Sequence, residues 1–121
     1  MSEPIFDKKE QLEQIQSGLM DGEQIIAVYD AIGTGTGFLG MTSHRLVIQD
    51  KSLSGKRTAV TSIPYSAITT VSAVSAKSLR GGFFSSGEIA IQVGSVGYDV
   101  EFRGHEKAHH VHDVVLQRIT S

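Results

Sequence analysis

The sequence predicts a mainly β domain, α+β by content, with seven strands between one amphipathic helix at each end. Short runs rich in β-branched residues alternate with glycine- and serine-rich turns through the middle of the chain, which is the pattern of antiparallel hairpins. Apolar residues recur at helical spacing only near the two termini. At 121 residues the chain suits one domain, with a helix at about 7–18, strands from about 23 to 103 and a helix at about 105–119.

The totals narrow function before any motif is read. Eleven basic side chains stand against 13 acidic ones, so no global field draws in nucleic acid or anionic lipid. The absence of cysteine removes disulfides, thiolate metal sites and cysteine nucleophiles. No apolar run is long enough to span a bilayer, and the polar start lacks the pattern of a signal peptide, so a soluble, cytoplasmic protein is expected.

In the first helix Leu12, Ile15 and Leu19 form a narrow stripe, with Asp7 and Glu10 as its start signal and Gly18 or Gly22 as its stop. Residues 23–32 follow, apolar on both alternating faces. Ile26, Val28 and Ile32 lie on one, and Ile25, Ala27 and Tyr29 on the other. Both faces need cover, and the second is a candidate contact surface for a neighbouring chain. Gly33 to Gly37 resembles a phosphate-cradling loop in composition only. The residues after it read as a strand, whereas such loops need a helix N-terminus or a Lys followed by Ser or Thr.

Phe38 to Thr42 and Arg45 to Gln49 are strands joined at Ser43-His44, with Leu46 and Ile48 inward and Val47 and Gln49 outward. Ser43, His44 and Asp50 form no triad, because in extended backbone Ser43 and His44 face opposite ways. After a polar turn the next strand runs from Arg57 to Ile63. Pro64 breaks the ladder, and extended structure resumes from Tyr65 to Val74. Residues 76–87 are the least regular, and Phe83 and Phe84, adjacent in sequence beside Arg80, cannot both face one core if extended. Arg80, Phe83 and Phe84 are therefore further contact candidates. Ile89, Ile91 and Val93, then Tyr98, Val100 and Phe102, mark the last hairpin, with Asp99, Glu101 and Arg103 facing solvent.

The closing helix places Ala108, Val111, Val115 and Ile119 on its apolar stripe, and Glu106 and Arg118 suit its dipole. His105, His109 and His112 fall at i, i+4 and i+7, one face of that helix, and are the candidate metal ligands. With no other clustered ligand, no metal, cofactor or catalytic residue is expected. The basic residues Lys51, Lys56, Arg57, Lys77 and Arg80 are scattered and lack interleaved aromatics, so nucleic acid is not an expected partner.

Gly40-Met41-Thr42-Ser43-His44-Arg45-Leu46 and Ser62-Ile63-Pro64-Tyr65-Ser66-Ala67-Ile68 resemble motifs of the bacterial pleckstrin-homology (PH) domain proteins, a family first defined as a domain of unknown function. The resemblance covers nearly the whole chain. It implies a PH-like barrel of two near-orthogonal antiparallel sheets, seven strands in all, capped by the C-terminal helix and preceded here by an extra N-terminal helix. Small cytoplasmic proteins that form homo-oligomeric rings, without an established ligand, are what it implies for function. In eukaryotic PH domains basic residues of the first hairpin bind phosphoinositides. Here residues 29–38 contain none, so that activity is not expected.

These readings favour a non-enzymatic binding or scaffolding module that associates with itself, and with another protein as a further partner. A membrane-surface adaptor using Lys51, Lys56, Arg57 and the Phe83-Phe84 stretch is the alternative, and a metal-binding protein built on the C-terminal histidines the second alternative.

Overall fold

A computed structural model describes residues 3–32, 36–51, 58–77 and 85–121. The chain divides into two units, Met1–Pro64 and Tyr65–Ser121.

The first unit is a five-stranded sheet in sequence order, β1 (Ile5–Phe6), β2 (Ile25–Asp30), β3 (Thr36–Thr42), β4 (Arg45–Lys51) and β5 (Thr58–Pro64), with helix α1 (Lys9–Gln16) between β1 and β2. β2 to β5 pair antiparallel as consecutive neighbours. β1 was not legible in the polar N-terminus. It pairs parallel with β2, so the sheet is not purely antiparallel, and among the described residues the strands number eight rather than seven. Asp7 does not cap α1. Its backbone N–H donates to Val28 O at 3.1 Å, and its carboxylate accepts from the N–H of Asp30 at 2.9 Å, pinning β1 to β2.

Both faces of this sheet carry buried residues. Ala27, Tyr29, Leu39, Met41, Leu46, Ile48 and Ile63 line one. On the other, Leu12 and Ile15 of α1 pack on Val28, Phe38 and Val47, with Leu19 and Ile25 against them. Val47, expected outward, is thus covered by the helix. Gly40 makes this possible: a side chain there would occupy the place of the Ile15 methyl group, so glycine lets the helix seat on the strand.

The second unit opens with a one-turn 3-10 helix, Tyr65–Ala67, where extended structure was expected. The strand begins only at Thr70. β6 (Thr70–Lys77), β7 (Ser85–Val93) and β8 (Val96–Arg103) form an antiparallel sheet, so Ala76 and the residues from Ser85 to Gly87, expected to be irregular, lie in ladders. Ile89, Ile91, Val100 and Phe102 are buried on one face as the alternation requires, and Asp99, Glu101 and Arg103 are exposed on the other. Helix α2 (His105–Ile119) lies against all three strands and the 3-10 turn, burying Ala108, Val111 and Val115. At its C-terminal end the Arg118 guanidinium sits 5.9 Å from the centre of the buried Tyr65 ring. Among the described residues no ladder joins the five-stranded sheet to the three-stranded one.

Candidate functional sites

The most developed polar cluster joins Glu23, Thr42 and Arg45. Glu23 precedes β2, and Thr42 and Arg45 flank the β3–β4 turn, so the hairpin brings both to the carboxylate. Arg45 Nε donates to Glu23 Oε2 at 2.8 Å and Nη2 to Oε1 at 3.2 Å, a bidentate fork. The guanidinium also donates to Gly18 O at 3.0 Å and Ser62 Oγ at 2.7 Å. Thr42 donates its hydroxyl to Glu23 Oε2 and accepts the N–H groups of His44 and Arg45, each at 3.0 Å, which closes the turn. Met20 N–H donates to Glu23 Oε1 at 2.9 Å.

One carboxylate therefore ties the segment after α1, the start of β2, the hairpin and, through Arg45, β5. The hydrogen bonds from Arg45 hold the Glu23 carboxyl at about 2, well below its ordinary 4.5, with Met20 N–H and Thr42 acting in the same direction and burial opposing them. Both carboxylate oxygens are engaged and the side chain has no exposed surface, so the cluster braces the fold and offers no group to a substrate. Spacing could not identify Glu23, because its partner lies 22 residues away. The signal available was that Arg45 heads an apolar strand and would need a carboxylate.

The contact face expected on β2 is an interior one. Ala27 is 0% and Tyr29 6% exposed. Ile25 is on the other face: a register shift between Ile25 and Ala27 inserts a bulge, which breaks strict alternation and turns Ile25 toward α1. Arg80, Phe83 and Phe84 lie outside the described residues, as do Lys56, Arg57 and the glycine run Gly33 to Gly35, while Lys51 ends β4.

Ser43 and His44 do interact, contrary to the expectation from extended geometry: Oγ and Nδ1 are 2.7 Å apart. Both residues are in the turn, where adjacent side chains need not oppose each other. Asp50 is at the far end of β4, paired with Ala59, so no acid orients the imidazole.

In the closing helix the rings of His105 and His109 meet edge-on, with centroids 6.2 Å apart. His112 does not join them; its Nδ1 is 3.3 Å from Asp113 Oδ1. Among the described residues no group of three or more His, Cys, Asp or Glu is placed to hold a metal ion together. Histidine spacing taken alone also passes over Glu106. Residues 105–109 read H-E-x-x-H, the order of a zinc-protease helix. Here the Glu106 carboxylate is largely exposed, 3.9 Å from His105 Nδ1.

A groove beside the end of α1 measures about 90 Å³ and is lined by Ile15, Gly18, Phe38, Arg45, Val47 and Val60, among others. That is below the roughly 300 Å³ at which small-molecule pockets begin. No helix is long and apolar enough to cross a membrane.

Known proteins place this geometry. The chain is similar over 95% of its length to the whole of a crystallised pleckstrin-homology domain from Shewanella amazonensis SB2B, at 19% identity and a TM-score of 0.68. It is likewise similar to a DUF1696-family protein with a pleckstrin-homology domain from Shewanella loihica PV-4, at 19% identity and a TM-score of 0.67, with 93% of each chain covered. These likenesses give the fold. No curated protein matches the chain. The bacterial PH domain model matches residues 3–119, nearly the whole of the sequence: the chain belongs to the bacterial PH domains.

Proposed function

We propose that this protein is a non-enzymatic binding or scaffolding module that associates with copies of itself through a strand edge. The observation that carries this reading is the edge of the three-stranded sheet. β6 ends that sheet, pairs with β7 over eight residues without a bulge, and has no charge from Thr70 to Ala76. Val74 on it is 55% exposed. Edge strands of monomers are ordinarily guarded by charge, proline, bulges or shortness. The opposite edge, β8, follows that rule with Asp99, Glu101 and Arg103, and β1 follows it by being two residues long. β5 ends in Pro64, and β6 has no proline and carries its one charge, Lys77, only at its last position, which suits an edge that another strand covers.

The state of the polar groups fits the same reading. Among the described residues the polar cluster with the most hydrogen bonds is buried and fully engaged, and Ser43-His44 lacks an acid. Light scattering on the purified chain tests the assembly: a mass of two or more chains at micromolar concentration is expected, and a monomer overturns it.

A further inference from the structure

We propose that His105 and His109 form a surface site for a divalent transition metal ion of the Cu²⁺, Ni²⁺ or Zn²⁺ class, the two imidazoles supplying the protein ligands and water the rest of the shell. This goes beyond the assembly reading and does not depend on it.

Residues four apart on a helix lie one above the other on the same face, so two histidines at that spacing can share one ion. Here the rings already adjoin, edge-on and 6.2 Å apart between centroids. Both residues are exposed, the His105 side chain at 48%. Imidazole binds these metals at about 2.0–2.1 Å. Sharing one ion at that distance requires the two rings to turn from their edge-on contact so that one nitrogen of each faces it.

The backbone that carries them is fixed. Ala108 and Val111, between and beyond the two histidines, are 0% exposed. On β7, Gly87 lies against the start of α2 so closely that a Cβ there would stand 2.7 Å from His105 Cα and 2.9 Å from Ala108 Cβ. The helix start is therefore seated on the sheet, and the imidazoles project from a rigid element, which lowers the ordering cost of chelation. Glu106, with its carboxylate 3.9 Å from His105 Nδ1, adds negative charge beside the ion. Among the described residues no third protein ligand joins the pair and the site is open surface, so the H-E-x-x-H order is assigned binding and not hydrolysis.

The neighbouring histidines supply the controls. His112 is turned to Asp113, and His110 is five residues from His105, off its face. The untagged full chain is titrated by calorimetry with CuCl₂, NiCl₂ and ZnCl₂ separately. One site per chain is expected, with Cu²⁺ held more tightly than Ni²⁺ or Zn²⁺, as the intrinsic order of these ions requires. His105→Ala and His109→Ala should each weaken binding about tenfold or more, whereas His110→Ala and His112→Ala should stay within about twofold of the unchanged chain. Circular dichroism confirms that the exposed substitutions leave the fold intact. Electron paramagnetic resonance of the Cu²⁺ form gives a second readout, two coupled nitrogens falling to one in His109→Ala. No saturable Cu²⁺ site, a site that survives both single substitutions, a loss as large in His112→Ala, or a spectrum with a single nitrogen in the unchanged chain would each overturn the assignment.

Discussion

Glu23 concentrates more structural consequence than any other titratable residue described. Its carboxyl is held at about 2 in the folded chain against an ordinary 4.5, so its charge stabilises the fold fully above about pH 4.5, and that contribution fades as pH falls toward 2. Glu23→Gln keeps the shape and removes the charge. It is expected to cost roughly 2 to 3 kcal/mol at pH 7 and to flatten the dependence of stability on pH between about 5 and 2; urea unfolding at pH 7 and pH 3 checks both. Arg45→Ala should be worse than Glu23→Gln, by the same urea measurement, because it strands a buried carboxylate without its fork; removing one partner of a buried pair typically costs about 3–5 kcal/mol. If Arg45→Ala proved the milder of the two, the carboxylate would have another source of compensation and the brace would be misassigned. The residue scale also explains the family motif. Thr42 closes the turn, Arg45 reaches back across it, and Gly40 makes room for Ile15, so the Gly40 to Leu46 run of this hairpin is accounted for by packing and hydrogen bonds without a ligand.

Between elements, the decisive contact is that of α1 on the outer face of the first sheet. A side chain on Gly40 would collide with Ile15, the residue that anchors the helix in the cluster of Leu12, Val28, Phe38 and Val47. Gly40→Val should therefore lift the helix and destabilise the chain by about 1–3 kcal/mol, as overpacking does elsewhere, read as a lower thermal midpoint. The narrow apolar stripe of α1 was legible from the spacing of Leu12, Ile15 and Leu19, and so were β3, β4 and the β7–β8 hairpin, since alternation and turn residues act locally. What was not legible depended on partners distant in sequence or on irregular backbone. β1 has two residues and exists because Asp7 and the backbone of β2 hold it. The bulge at Ile25 reverses a face that strict alternation assigns wrongly, and Tyr65 turns into a 3-10 helix because Pro64 ends the ladder. The misplaced contact surface on Ala27 and Tyr29 follows directly from that: a strand apolar on both faces announces two buried faces, and whether cover comes from the same chain or another is not a property of the strand itself.

At the scale of the whole molecule, the question left by a buried β2 is which surface would carry the proposed self-association. The exposed large apolar side chains are spread over both units, with Ile5 and Phe6 on β1, Val60 on β5, Val74 on β6 and Leu116 on α2. Scattered single residues of this kind are ordinary on a protein surface. β5 and β6 each carry an exposed valine on a regular edge; β5 ends in Pro64, whereas β6 is free of proline and uncharged from Thr70 to Ala76, offering backbone N–H and C=O groups and apolar surface together. Val74→Lys places a charge on that edge without touching the buried set of Ile89, Ile91 and Val100, so the fold should persist with a thermal midpoint close to that of the unchanged chain. Assembly should not persist, because a second strand would have to desolvate the new ammonium. Light scattering across a concentration series is expected to shift Val74→Lys toward the monomer, and association of the unchanged chain through this edge should be nearly insensitive to salt between 0.05 and 0.5 M, since the edge is uncharged from Thr70 to Ala76. An assembly that resists Val74→Lys, or that dissolves in salt, would place the interface on charged surface and remove β6 from it.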